Sequence, residues 1–123
     1  MIDHIGLGAS DYAASMSFFK AALAPLGYTV VMEGPPGAGA GLGNAGAPVL
    51  WISPAKQPPA PLHLAFTAGT RAEVDAFHQA ALTAGGRDNG GPGLRPHYHP
   101  NYYGAFVIGP EGHNVEAVCH KPA

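Results

Sequence analysis

Residues 4–27, HIGLGASDYAASMSFFKAALAPLG, and residues 63–86, HLAFTAGTRAEVDAFHQAALTAGG, are one pattern written twice. A shift of 59 positions makes eight of twenty-four residues identical, among them His4/His63, Phe18/Phe77, Leu23/Leu82 and Gly27/Gly86. The other four pairs are alanines and weigh little in so alanine-rich a chain. An internal repeat fixes architecture before local detail does.

Each copy opens on an alternation. Ile5 and Leu7 face one way, His4, Gly6 and Gly8 the other; Leu62, Leu64 and Phe66 oppose His63, Ala65 and Thr67. A period of two reads as a strand with two distinct faces. The bulky face suits a covering helix. The histidine face carries only small neighbours, which leaves open space before each imidazole.

A helix follows each strand. Ser10 or Asp11 can cap the first, whose stripe is Tyr12, Ser15/Met16, Phe19, Ala22, Leu23 and Leu26. Thr70 with Glu73 is a capping-box signature for the second, whose stripe is Val74, Phe77, Ala81 and Leu82. Gly27 and Gly85–Gly86 end the helices. Strand-like runs come next: 28–32, a weak 39–42 and 49–53 in the first unit; a weak run near Arg87, then 103–108 and 114–119, in the second. Each unit therefore reads β-α-β-β-β. The second is longer, mostly in an expected loop over 88–101.

Nearly half the residues, 46%, are hydrophobic and only 11% are charged, with a net charge of −2. That balance supports one cored domain and gives no basic footprint for nucleic acid. No apolar run is long enough to span a membrane. A single Cys119 permits no internal disulfide, which suggests a cytoplasmic protein. It sits with the bulky face, as an inert thiol. The stretch Gly41-Leu-Gly43-Asn-Ala-Gly46 matches G-x-G-x-x-G, but Pro48 and a strand follow it, where a dinucleotide site needs a helix.

His4, His63 and Glu116 are the candidate metal ligands. Glu116 shares a face with Asn114 and Val118 in the last strand pattern. Two imidazoles and one carboxylate can hold a divalent ion, Fe, Mn, Ni, Co or Zn, and leave positions open for substrate. His78, His113 and His120 read as surface residues.

On these residues the chain resembles the vicinal oxygen chelate superfamily, which includes glyoxalase I, extradiol dioxygenases and bleomycin-resistance proteins. The resemblance covers essentially the whole chain. It rests on Asp3-His4-Ile5-Gly6-Leu7, on Phe18-Phe19 before Leu26-Gly27, on Leu62-His63-Leu64-Ala65-Phe66, and on Tyr103 through Glu116. It implies an α+β fold, with modules 1–54 and 62–123 about the linker 54–61, forming a curved, barrel-like mixed sheet with helices on the outside. It also implies metal ligands at His4, His63 and Glu116, the modules pairing within a chain or exchanging across a homodimer. The family's fourth ligand falls here on Leu50 or Trp51, and neither binds metal. Its usual Asp before Pro-x-Gly is replaced by Gly109.

The loop 94–103 is rich in groups that recognise small polar molecules. His97, His99 and Tyr103 are candidate catalytic residues, because they can move a proton or donate to an oxygen. Arg95, Tyr102 and Trp51 are candidate substrate contacts, Arg95 for an anionic group. The expected function is metal-dependent chemistry on a small oxygen-bearing substrate, of the dioxygenase or lyase/isomerase kind. The competing expectation is a metal-free, drug-sequestering protein with a groove lined by Trp51, Tyr102 and Tyr103.

Overall fold

Both alternating stretches are strands in the computed structural model, which describes all 123 residues. They are β1 (Ile5–Ala9) and β5 (His63–Thr67). Because β1 begins at Ile5 and not at Ile2, His4 lies just ahead of the strand. The first module continues with α1 (Tyr12–Leu23), β2 (Thr29–Glu33), β3 (Ala40–Gly43) and β4 (Leu50–Pro54). The second has α2 (Arg71–Thr83), β6 (Arg87–Leu94), β7 (Tyr103–Ile108) and β8 (Asn114–Cys119).

β6 replaces most of the loop expected over 88–101. It pairs antiparallel with β7 as far as Leu94, and its register shifts on either side of Gly90. Gly90 adopts φ 144°, which an L side chain resists. Its sequence, RDNGGPGL, has no apolar alternation, so pairing with β7 and not strand propensity makes it a strand.

The sheets run β1-β4-β3-β2 and β5-β8-β7-β6, curved modules that do not close into a barrel. In each, the first strand lies parallel to the last. Asp11 caps α1 by accepting from the Ala14 N–H, and Thr70 and Glu73 form the capping box on α2. The inward faces of β1, β4, β5 and β8 join Phe19, Leu23, Val74 and Phe77 in one core. Each such large side chain contributes about 1.5–3 kcal/mol by leaving water.

Helix α1 buries more than its expected stripe, because Phe18 is buried as well. The helix lies between its own sheet and the second module, packing on α2 and on the turn Pro110–Gly112. The Ser10 N–H and hydroxyl both donate to Glu111 Oε1. Those bonds hold the Glu111 carboxyl below the usual carboxylate range. Helices and turns therefore join the modules, and β1 and β5 each stay at a sheet edge.

His113 departs from its expected surface position. It is 1% exposed, and Nδ1 accepts the Leu62 N–H at 2.9 Å, tying the end of the linker beside β8. This requires a neutral ring protonated on Nε2, which is buried without a partner. Burial holds its pKa below the ordinary histidine value, against an opposing pull from Glu111. Below about pH 6.5 the unfolded chain then binds the extra proton more readily than the native one. Stability is expected to fall with pH from there, by at most about 1.4 kcal/mol per pH unit until the native ring also protonates. Urea unfolding at descending pH should show this slope, and His113→Asn, which keeps an acceptor near Nδ1 but cannot titrate, should flatten it.

Candidate functional site

The parallel pairing of β5 with β8 brings the site together. Register sets Ala65, Glu116, Phe106 and Gly90 in one row across the second sheet. His63, two residues before Ala65, stands on that same open face, opposite Asn114. Its Nε2 lies 2.7 Å from Glu116 Oε1. Glu116 is 1% exposed, whereas the His63 side chain is 54% exposed. A buried carboxyl thus orients an imidazole that ligands can reach.

Tyr102 takes the other oxygen, donating its phenol O–H to Glu116 Oε2. It reaches there across Gly104. A Cβ on Gly104 would meet the Tyr102 ring at 3.2 Å and Oε2 at 3.3 Å. The rings of Tyr98 and His120 pack against Tyr102 with centroids at 5.0 and 5.2 Å. Burial, then the bond to Glu116, pushes the Tyr102 phenol well above its ordinary pKa, so it stays a donor. Tyr102, expected to contact substrate, instead donates to Glu116, and Gly104 is the residue the sequence pattern did not single out. A lone glycine in a strand pattern is the signal for such a close approach.

Phe106 lies beside the pair, its centroid 6.1 Å from that of His63. The Arg95 guanidinium sits 5.3 Å over the Phe106 ring and donates to the carbonyls of Gly93 and Gly91, each at 2.9 Å. A groove of about 320 Å³ adjoins His63, running between β5 and the N-terminal residues Ile2, Asp3 and Ile5.

Other expected site residues lie elsewhere. His4 does not join His63 and Glu116: its side chain is 58% exposed and Nδ1 lies 2.7 Å from Asp3. No three His, Cys, Asp or Glu side chains converge on a metal-sized point within the chain. The reason is the packing, since helices, not a β1–β5 pairing, join the modules. Tyr103 faces the helix layer, donating to Asp75 of α2 at 2.6 Å, with Arg71 over its ring. His97 packs at a tilt against Tyr98 and His99 edge-on against His120, and neither bonds to His63 or Glu116. Trp51 is half-buried in the first sheet opposite Gly6, its Nε1 donating to the Ala38 carbonyl. Leu50 is buried in the core, so the open-face position of the missing fourth ligand is Trp51.

The donors His63 and Glu116 fit a divalent ion of the borderline class, as nitrogen and oxygen ligands side by side. They supply two ligands of the expected three.

A sequence-family profile described as the Glyoxalase/Bleomycin resistance protein/Dioxygenase superfamily matches residues 1–117. Among solved structures, a glyoxalase/bleomycin resistance protein from Albidiferax ferrireducens T118 is 27% identical, with TM-score 0.77 and 97% of each chain covered. A glyoxalase-related enzyme from Fulvimarina pelagi is 21% identical, with TM-score 0.72 over 97% of this chain and 87% of that one. A glyoxalase/bleomycin resistance protein/dioxygenase family enzyme from Burkholderia phytofirmans PsJN shares the fold at 16% identity, with TM-score 0.72 and 98% of each chain covered. No curated protein matches significantly. With two βαβββ modules in this order, a profile match over nearly its whole length and these neighbours, the chain belongs to the glyoxalase/bleomycin resistance protein/dioxygenase superfamily.

Proposed function

We propose that this protein is a divalent-metal-dependent enzyme acting on a small oxygen-bearing substrate, with His63 and Glu116 as ligands from one protomer and His4 of the partner subunit as the third. The observation that carries the reading is the pair itself: a fully buried carboxyl beside an exposed imidazole, on a sheet face lined by Ala65 and Gly104. The edge position of β1 and β5 and the exposure of His4 support completion by a second copy. When bound, a divalent ion would supply Lewis-acid stabilisation of charge on substrate oxygens. Two imidazoles and one carboxyl leave positions for substrate, as dioxygenase or lyase/isomerase chemistry requires. Tyr102 keeps Glu116 Oε2 occupied, so that Oε1 alone is presented. A reducing, cytoplasmic setting suits the buried Cys119 thiol.

Untagged protein is expected to hold stoichiometric metal that His63→Ala loses. His4→Ala and Glu116→Ala should each lose it too. Mixed in equal amounts and reassociated, they should regain about a quarter of the wild-type content, because only mixed dimers hold one intact site. Equal trace metal in wild type and His63→Ala would overturn the metal reading. It would favour the metal-free binder, which Trp51 in place of a fourth ligand also suits. Loss in all three variants without recovery on mixing would overturn the exchanged arrangement alone.

A further inference from the structure

The open face of the second sheet carries two arginines that form no ion pair within the chain. Arg95 stands on it over Phe106, and Arg87, opposite Ile108, occupies a register position on the same face at its far edge. The ion pairs of the protein all involve histidines, and neither arginine belongs to one. Glu116, the acidic side chain in that row, already has both oxygens engaged, one by His63 and one by Tyr102.

Arg95 is also held still. The Gly91 and Gly93 carbonyls each take one of its terminal N–H groups, and the guanidinium carbon lies over the Phe106 ring. A side-chain atom on Gly90 would come within 3.2 Å of Nη2. A guanidinium has five N–H donors, so those left over face a ligand with little entropy still to lose. The imidazole of His63 and the guanidinium of Arg95 flank one phenyl ring, each within about 6 Å of it.

We infer that Arg95 is the anion-recognition residue of this site, and that the substrate carries an oxyanion group, carboxylate, sulfonate or phosphonate, at the end remote from His63 and Glu116. This rests on the reading that His63 and Glu116 mark the functional centre, and it does not depend on a bound metal. It names the substrate as a small organic anion whose other oxygens lie at the His63 end.

The test is a set of NMR titrations with benzoate, benzenesulfonate and phenylphosphonate, with benzamide as the neutral counterpart. Protein as purified and after chelator treatment are both used. At least one anion is expected to bind more tightly than benzamide, with shifts at Arg95, Phe106 and His63. Arg95→Met should lower that anion's affinity by roughly tenfold to a hundredfold and leave benzamide unchanged. Arg95→Lys should restore part of the preference, since it keeps the charge but not the fork. The unfolding midpoint of each variant separates this from a strut role. A destabilised Arg95→Met that still prefers the anion overturns the assignment. So does equal binding of anion and benzamide, a preference that disappears on chelation, or no shift with any probe. Failure of the metal reading alone would leave the chelated-protein result intact.

Discussion

Gly109→Ala is expected to destabilise the chain by about 1–3 kcal/mol through overpacking, and Phe18→Ala by about 3–5 kcal/mol through the cavity it leaves. In the double variant the two effects should fall well short of adding. Phe18 projects from α1 of the first module and is 1% exposed. Its ring comes within 2.8 Å of where a Cβ on Gly109 would stand, and within 2.9 Å of that on Gly86. A methyl group at 109 meets a full ring in the wild type and an empty space once Phe18 is alanine. Urea unfolding of the four proteins measures the coupling, and additive values would show that Phe18 and Gly109 do not share one contact. The same contact explains why Gly109 replaces the aspartate usual in this turn, since any side chain there would strike the ring.

That contact also marks where the sequence stops being legible. The repeat, the strand alternations and the Thr70–Glu73 capping box are local patterns, and a local pattern needs only its own neighbours to be read. β7 and β8 accordingly have the bounds expected for them. Phe18 and Phe77 were visible as a repeated pair, but nothing in the stripe of α1 showed that a second surface would cover Phe18. The packing of one module on the other decides that, and with it that His4, His63 and Glu116 do not converge within one chain.

Within the site, His63 and Glu116 were legible as a histidine heading the repeated strand and a carboxylate in the last strand pattern, joined as ligands by the family resemblance; the parallel β5–β8 pairing is what brings them together. The roles of the residues in 94–103 were not. Tyr103 opens the strand-like run and Tyr102 stands just ahead of it, and only the folded arrangement tells which meets α2 and which meets Glu116. His113 shows the opposite failure. Composition gives a histidine before a strand no reason to be buried, and the bond its ring accepts comes from Leu62, a residue distant in sequence.

Glu116→Gln is expected to weaken divalent-metal binding by about a hundredfold or more while leaving unfolding free energy unchanged within about 1 kcal/mol, or raising it. Gln fills the same volume and can still accept from His63 Nε2, so no cavity opens in a position that is 1% exposed. The neutral amide oxygen is a weaker ligand than a carboxylate, but it also spares the fold a buried carboxyl. Burying such a group is unfavourable even when, as here, His63 and Tyr102 satisfy both oxygens. A residue kept for binding at some expense of stability should respond in opposite directions in the two assays. Calorimetric titration with Co²⁺ or Zn²⁺, beside urea unfolding of chelator-treated protein, reads both. A loss of several kcal/mol with metal affinity intact would make Glu116 a structural tether for Tyr102 and His63, and the metal centre would have to be sought elsewhere. A loss of affinity at constant stability would leave the His63–Glu116 pair as the part of this fold kept for chemistry.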